Sequence, residues 1–253
     1  MTGSEEAGDD VRNGDELESL IAHIETRLDS RFEFPDSKVD GGAATLGLLR
    51  IMLIHAHAIV AISNTPFAEA ATANVRVMFE AWVEISTILE PGLEESNARR
   101  SVVFGLLEFR DHGDATGRLD EADFAKLDEV LRPYRTKYPE LVADVEVQRT
   151  KKDPRSSQYW TGTSRSVLLA KMEQRGLASK LRSVYKMLSW DAHHVIAVAL
   201  RSKIHANDDG SLETRFGILQ PAGEYAEVNR FLAVQTLVKS WFAIATYLGV
   251  DPG

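Results

Sequence analysis

Apolar residues recur every three to four positions along most of this chain, the spacing of one face of an α-helix. From Leu17 onward, Leu20, Ile21, Ile24 and Leu28 share such a face, and Phe34-Pro35-Asp36 ends the helix in a loop. Residues 43–63 are almost wholly apolar and predict a long buried helix. Asn64-Thr65-Pro66 predicts a turn, with Thr65 as N-cap and Pro66 at the first position of a helix running to about Leu89, closed by Pro91-Gly92. Residues 43–90 therefore predict an antiparallel helical hairpin. Helical spacing continues over 93–112, 120–136, 139–150, 165–175 and 178–203, and the Pro, Ser, Thr and Gly content of 153–164 predicts a loop. After Asn207-Asp208-Asp209-Gly210, a turn signal, alternation of Leu212, Thr214, Phe216 and Ile218 predicts a short extended arm near 211–219. A last amphipathic helix fits 224–248. With no βαβ alternation, the expectation is an all-α antiparallel helical bundle with a long buried hairpin.

Composition adds boundaries to this picture. The first 16 residues, rich in Glu, Asp and Gly, predict a disordered acidic arm ahead of one helical domain over 17–253. They have neither the cationic nor the apolar region of a secretory signal, and the chain has no cysteine, so a cytoplasmic location is expected. Residues 43–62 are long enough to cross a bilayer, but Arg50 near the middle costs roughly 2.5–3.5 kcal/mol there. A core helix, with no membrane contact, is the expectation.

Charge changes the picture most. Residues 149–186 hold ten basic and two acidic residues, a local +8 in a chain of formal net charge −9. Such a concentration marks where an anion can dock. The island contains Tyr159-Trp160, and Trp160 is a candidate contact for the anion. On a helix around Tyr185, Arg182, Lys186, Ser189 and His193 fall on one stripe with Tyr185 beside it. Two cations, two hydroxyls and an imidazole suit an anion; a plain solvated helix face accounts for them equally. Two further polar sets stand out. Arg76, Glu80 and Glu84 form an i, i+4, i+8 stripe opposite an apolar face. Arg50 and His57 lie about 20° apart on the apolar helix, beside the small residues Ala43, Gly47 and Ala61, and His55 lies on another side; all three are expected to be buried polar residues. No His-Glu-x-x-His or paired Glu-x-x-His motif is present, so no metal is expected, and no nucleotide loop implies a cofactor.

The segments Arg76-Val77-Met78-Phe79-Glu80 and Tyr185-x3-Ser189-x3-His193, with the Trp160-Thr161-Gly162 loop, resemble an uncharacterised all-helical bacterial family, one of the domains of unknown function. The resemblance spans roughly 40–245 and implies that Arg76, Glu80, Tyr185, Ser189 and His193 cluster across helices. More distantly, Arg50-x4-His55 and Arg50-x6-His57 are similar to the Arg-x4–6-His signature of HEPN-type helical domains, some of which are metal-independent nucleases; here the apolar Ile51 follows the arginine.

Three functions remain open. The first is a binding or regulatory module whose basic surface near 149–193 docks an acidic or phosphate-bearing ligand or protein, or nucleic acid. The second is a metal-independent enzyme acting on a phosphodiester, with His193 as general acid–base and Glu80 and Arg76 in its catalytic set. The third is a structural or oligomeric protein, a homodimer for instance, whose island is neutralised by its own acidic arm or by the acidic run from Asp111 to Glu129.

Overall fold

A computed structural model describes residues 6–29, 35–63, 65, 70–150, 159–193, 204–206, 212–214 and 224–253, with side chains described from Glu16 onward and not for 190–193, 204–206, 212–214 or 224–225. Among them are nine α-helices: α1 (Glu6–Leu28), α2 (Val39–Ser63), α3 (Ala71–Ile88), α4 (Glu94–Thr116), α5 (Glu121–Lys137), α6 (Pro139–Arg149), α7 (Arg165–Gln174), α8 (Leu181–His193) and α9 (Glu224–Leu248). A 3-10 turn, Asp36–Lys38, leads into α2. The fold is an all-α bundle. One two-stranded antiparallel ladder accompanies it, β1 (Ile204–Ala206) against β2 (Leu212–Thr214), with Ile204 opposite Thr214. The rest of the expected arm, to residue 219, lies outside the described residues.

The main core packs α2 and α3 against α1 and α9. Leu49, Met52, Ala56 and Ile59 of α2 meet Val75, Met78, Phe79 and Ile85 of α3 and Leu237, Trp241 and Ile244 of α9. A second cluster, Ile88, Phe104, Leu107, Leu131, Val142, Val145 and Trp160, lies under α4, α5 and α6, and Leu48 and Leu89 pack against both. Around the start of α2, polar contacts tie four elements together. Asp40 accepts from Arg99 Nε at 2.9 Å and from the Tyr134 hydroxyl at 2.7 Å, Arg99 stacks on Tyr138, and Glu95 accepts from the Tyr247 hydroxyl. Gly41 permits this closeness, because a Cβ there would collide with the Tyr247 ring and the Glu95 carboxylate.

Several expectations are corrected. Helix α1 begins at Glu6, so residues 6–16 are helical rather than a disordered arm; no proline interrupts them, and Glu6, Asp9 and Asp10 suit the positive end of the helix dipole. Thr65 is not the N-cap of α3, which starts at Ala71; its hydroxyl donates to the Ile62 carbonyl at the end of α2. Pro66 and residues 194–203 of the expected helix lie outside the described residues. Helix α2 is open on one side. Ala43, Gly47, Arg50, Ile51, Ile54, His57 and Ala61 face outward, because α1, α3, α4 and α9 all pack on its other sides. Both α2 and α9 are long and apolar enough to cross a membrane by length and composition.

Candidate functional site

Helix α3 presents its Arg76–Glu80–Glu84 stripe to α8 and to the start of α7. Arg76 Nε donates to Glu80 Oε1 at 3.1 Å, and the Arg76 guanidinium lies 5.9 Å from the centre of the Tyr185 ring. That ring also stacks on Phe79, 6.3 Å between centres. The structure thus brings Arg76, Glu80 and Tyr185 together. Ser189 lies one turn further along α8 and is half-buried; His193 ends α8, and its side chain lies outside the described residues.

Arg165, which the sequence pattern did not single out as a site residue, completes the cluster with Glu84 and Tyr159. Arg165, at the first position of α7, is 7% exposed. Its Nη2 donates to Glu84 Oε1 at 3.0 Å, and its guanidinium stacks 4.8 Å above the Tyr159 ring. Its Nε and Nη1 are buried without a hydrogen-bond partner among the described residues. Orphaned buried donors are rare in folded proteins and call for a reason. A signal was present in the sequence: a cation in the first turn opposes the helix dipole, and is placed there at a cost.

Electrostatics follow from this packing. Burial raises the Tyr185 phenol above its ordinary value, and the Glu80 charge adds to this while Arg76 and Arg165 oppose it. Tyr185 is therefore a neutral donor throughout the physiological range. Burial works against the Arg76 cation, but the hydrogen bond and charge of Glu80 outweigh it and the net direction is upward.

Tyr185 also borders a groove of about 880 Å³ between α7 and α8, lined among others by Ser166, Ser179, Lys180, Arg182, Ser183 and Lys186. The turn between the helices is built by Gly176. Its left-handed backbone, φ 73°, lets Gly176 N–H reach the Glu173 carbonyl and Leu177 N–H reach the Met172 carbonyl, which closes α7. Lys180 then opens α8 with φ 59°, the one described non-glycine residue in the left-handed region. A lysine there is strained by roughly 1–2 kcal/mol.

Not all of the expected cations are available. Arg182 is held by Glu173, whose carboxylate accepts from the Arg182 backbone N–H at 3.2 Å and from its Nε at 2.9 Å. Those bonds, the backbone one foremost, hold the Glu173 carboxyl below the ordinary range. Lys180 and Lys186 are exposed and form no ion pair with any described carboxylate. Elsewhere in the island, Arg149 pairs with Asp111 at 2.8 Å, while Lys151, Lys152 and Arg155 lie outside the described residues. Asp111 is the one contact shown from the acidic run, since Asp128 is spent on Arg110 and Arg135 and Asp120 caps α5.

Other expected site residues fall elsewhere. Trp160 is 6% exposed and packs in the second core; Arg100 Nε donates to its carbonyl at 2.8 Å and fastens the loop. Arg50 and His57 are not buried. They stand on the open face of α2, where His57 Nε2 lies 2.8 Å from Glu25 Oε1. His55 is half-buried and bonds Asn74 at 2.8 Å. Among the described residues no three His, Asp or Glu side chains converge to hold a metal ion. The chain matches no family model, no curated protein and no solved structure.

Proposed function

We propose that this chain is a binding or regulatory module, and that the groove between α7 and α8 receives the oxyanion of a phosphate- or carboxylate-bearing ligand or partner. The observation that carries this reading is the pair Lys180 and Lys186. Both cations are free of described carboxylates, and they border a groove that also holds the hydroxyls of Ser166, Ser179, Ser183 and Tyr185. Cations supply attraction and hydroxyls supply direction, the combination that oxyanions require. Strain at Lys180 supports the same reading, because a lysine stands where glycine would be relaxed. Behind Tyr185, Arg165 offers two further donors that no described residue pairs.

The test is a titration of the full chain with a fluorescein-labelled phosphoserine peptide at several salt concentrations. Binding is expected to weaken as salt rises, because ion contacts are screened. Lys180→Glu/Lys186→Glu should abolish it. Equal affinity in the wild type and the double variant would remove the groove from the function.

A further inference from the structure

The open face of α2 carries a second pattern, independent of the groove. Gly47, Ile51, Ile54, Ala58 and Ala61 repeat at intervals of four and three, the a/d spacing by which one helix seats against another. No described helix covers that face: Ile51 is 42% and Ile54 58% exposed, and nothing described lies within 4 Å of where a Gly47 Cβ would be. Small residues at both ends of the pattern, with two isoleucines between them, allow close approach of a backbone.

We infer that this face pairs with the same face of a second copy, antiparallel, about a twofold axis at Ile54. Charge decides the orientation. Arg50 forms no ion pair with any described residue, whereas Glu25 and His57 make an exposed pair on the same flank of the open face. Within one chain, Arg50 and His57 are about 10 Å apart along the helix axis, which keeps Arg50 from its own Glu25. A parallel pair would put the two Arg50 side chains on opposite rims, each against the Ile51–His55 flank, where no described carboxylate stands. The antiparallel pair sets Ile54 on Ile54 and Gly47 on Ala61. It also brings Arg50 to within about 1.5 Å, along the axis, of His57 in the second copy, where that copy's Glu25 carboxylate is held. Two such contacts, related by the twofold, close the rim, and the like flanks meet as an isologous interface requires. A helix contact about 21 Å long buries less than the roughly 800 Å² per partner of typical stable complexes, so the dimer is a weak one.

Sedimentation velocity on the full chain, up to about 100 µM because such a dimer is weak, tests this. The wild type is expected to dimerise in that range. Ile54→Arg should give a monomer with an unchanged circular dichroism spectrum and Tm, since Ile54 is largely in solvent; Phe242→Arg, at another exposed apolar position on α9, should still dimerise. Arg50→Glu should weaken the dimer about tenfold, and Arg50→Glu/Glu25→Arg should restore it. A wild type that stays monomeric overturns the inference, as does a dimer indifferent to Ile54→Arg or a charge swap that restores nothing. Flotation of wild-type protein with phospholipid vesicles, lost in Ile54→Arg, would assign the face to a membrane and overturn it equally.

Discussion

Arg165 is buried by an aromatic ring, a carboxylate and a helix start, and each neighbour sets a cost on removing it. Replacement by Met leaves Glu84 without its cation in a partly buried position, and chemical denaturation should show a loss of about 2–3 kcal/mol. Arg165→Met/Glu84→Gln should recover part of that loss. The tyrosines make a second prediction at this scale. Burial and the carboxylates of Asp40 and Glu95 raise the Tyr134 and Tyr247 phenols well above their ordinary value, and burial raises Tyr185. The folded protein binds these protons more tightly than the unfolded chain. Their stabilisation is therefore complete below the ordinary phenol pKa of about 10 and is lost as pH rises toward the folded-state values. Alkaline unfolding should steepen above that pH, and Tyr134→Phe/Tyr247→Phe should flatten the curve. Residue by residue, the sequence was a mixed guide. The stripe Arg76–Glu80 was legible from helical spacing, whereas its meeting with Tyr185 depends on how α3 and α8 pack. Arg50 and His57 were misplaced, because a nearly all-apolar helix does not announce which of its faces lacks a neighbour. Trp160 adjoins charged residues in sequence, yet in space it packs in the core under α4 and α6, which no local pattern announces.

Elements were the most legible level, since helix boundaries depend on local chemistry. The span of α9, 224–248, and the starts of α5 and α6 within a residue came from periodicity, prolines and caps. Asp120 and Asp123 form a reciprocal capping box at the start of α5. Asp120→Ala should cost about 1 kcal/mol by thermal or chemical denaturation. The start of α1 was missed because an acidic, glycine-bearing segment reads as disordered when composition outweighs the absence of a helix stop. Between elements, close approach leaves a weaker trace. Gly41 appears as one glycine in an apolar run, yet it lets the Tyr247 ring and the Glu95 side chain close over the start of α2. Gly41→Ala must displace that ring, and should lower stability by about 1–3 kcal/mol despite alanine's better helix propensity.

At the scale of the molecule, net charge and local charge point in opposite directions. A chain of net −9 repels polyanions over most of its surface, and its basic island is only partly open. Arg149, Arg165 and Arg182 answer to carboxylates of the same chain, which leaves Lys180 and Lys186 at the groove as the cations best placed for a ligand. Sequence reasoning located the island but could not divide it, because that division depends on Glu84 and Asp111 arriving from distant elements. The strained Lys180 separates stability from function at this scale. Lys180→Gly should raise stability by roughly 1 kcal/mol, by relieving the left-handed backbone, while weakening ligand binding. The most direct measurement is fluorescence anisotropy of a labelled phosphoserine peptide with the wild type and with Lys180→Glu/Lys186→Glu at matched salt. The account predicts salt-sensitive binding by the wild type and at least about tenfold weaker binding by the variant, a difference of about 1.4 kcal/mol. Superimposable isotherms for the two proteins would contradict it.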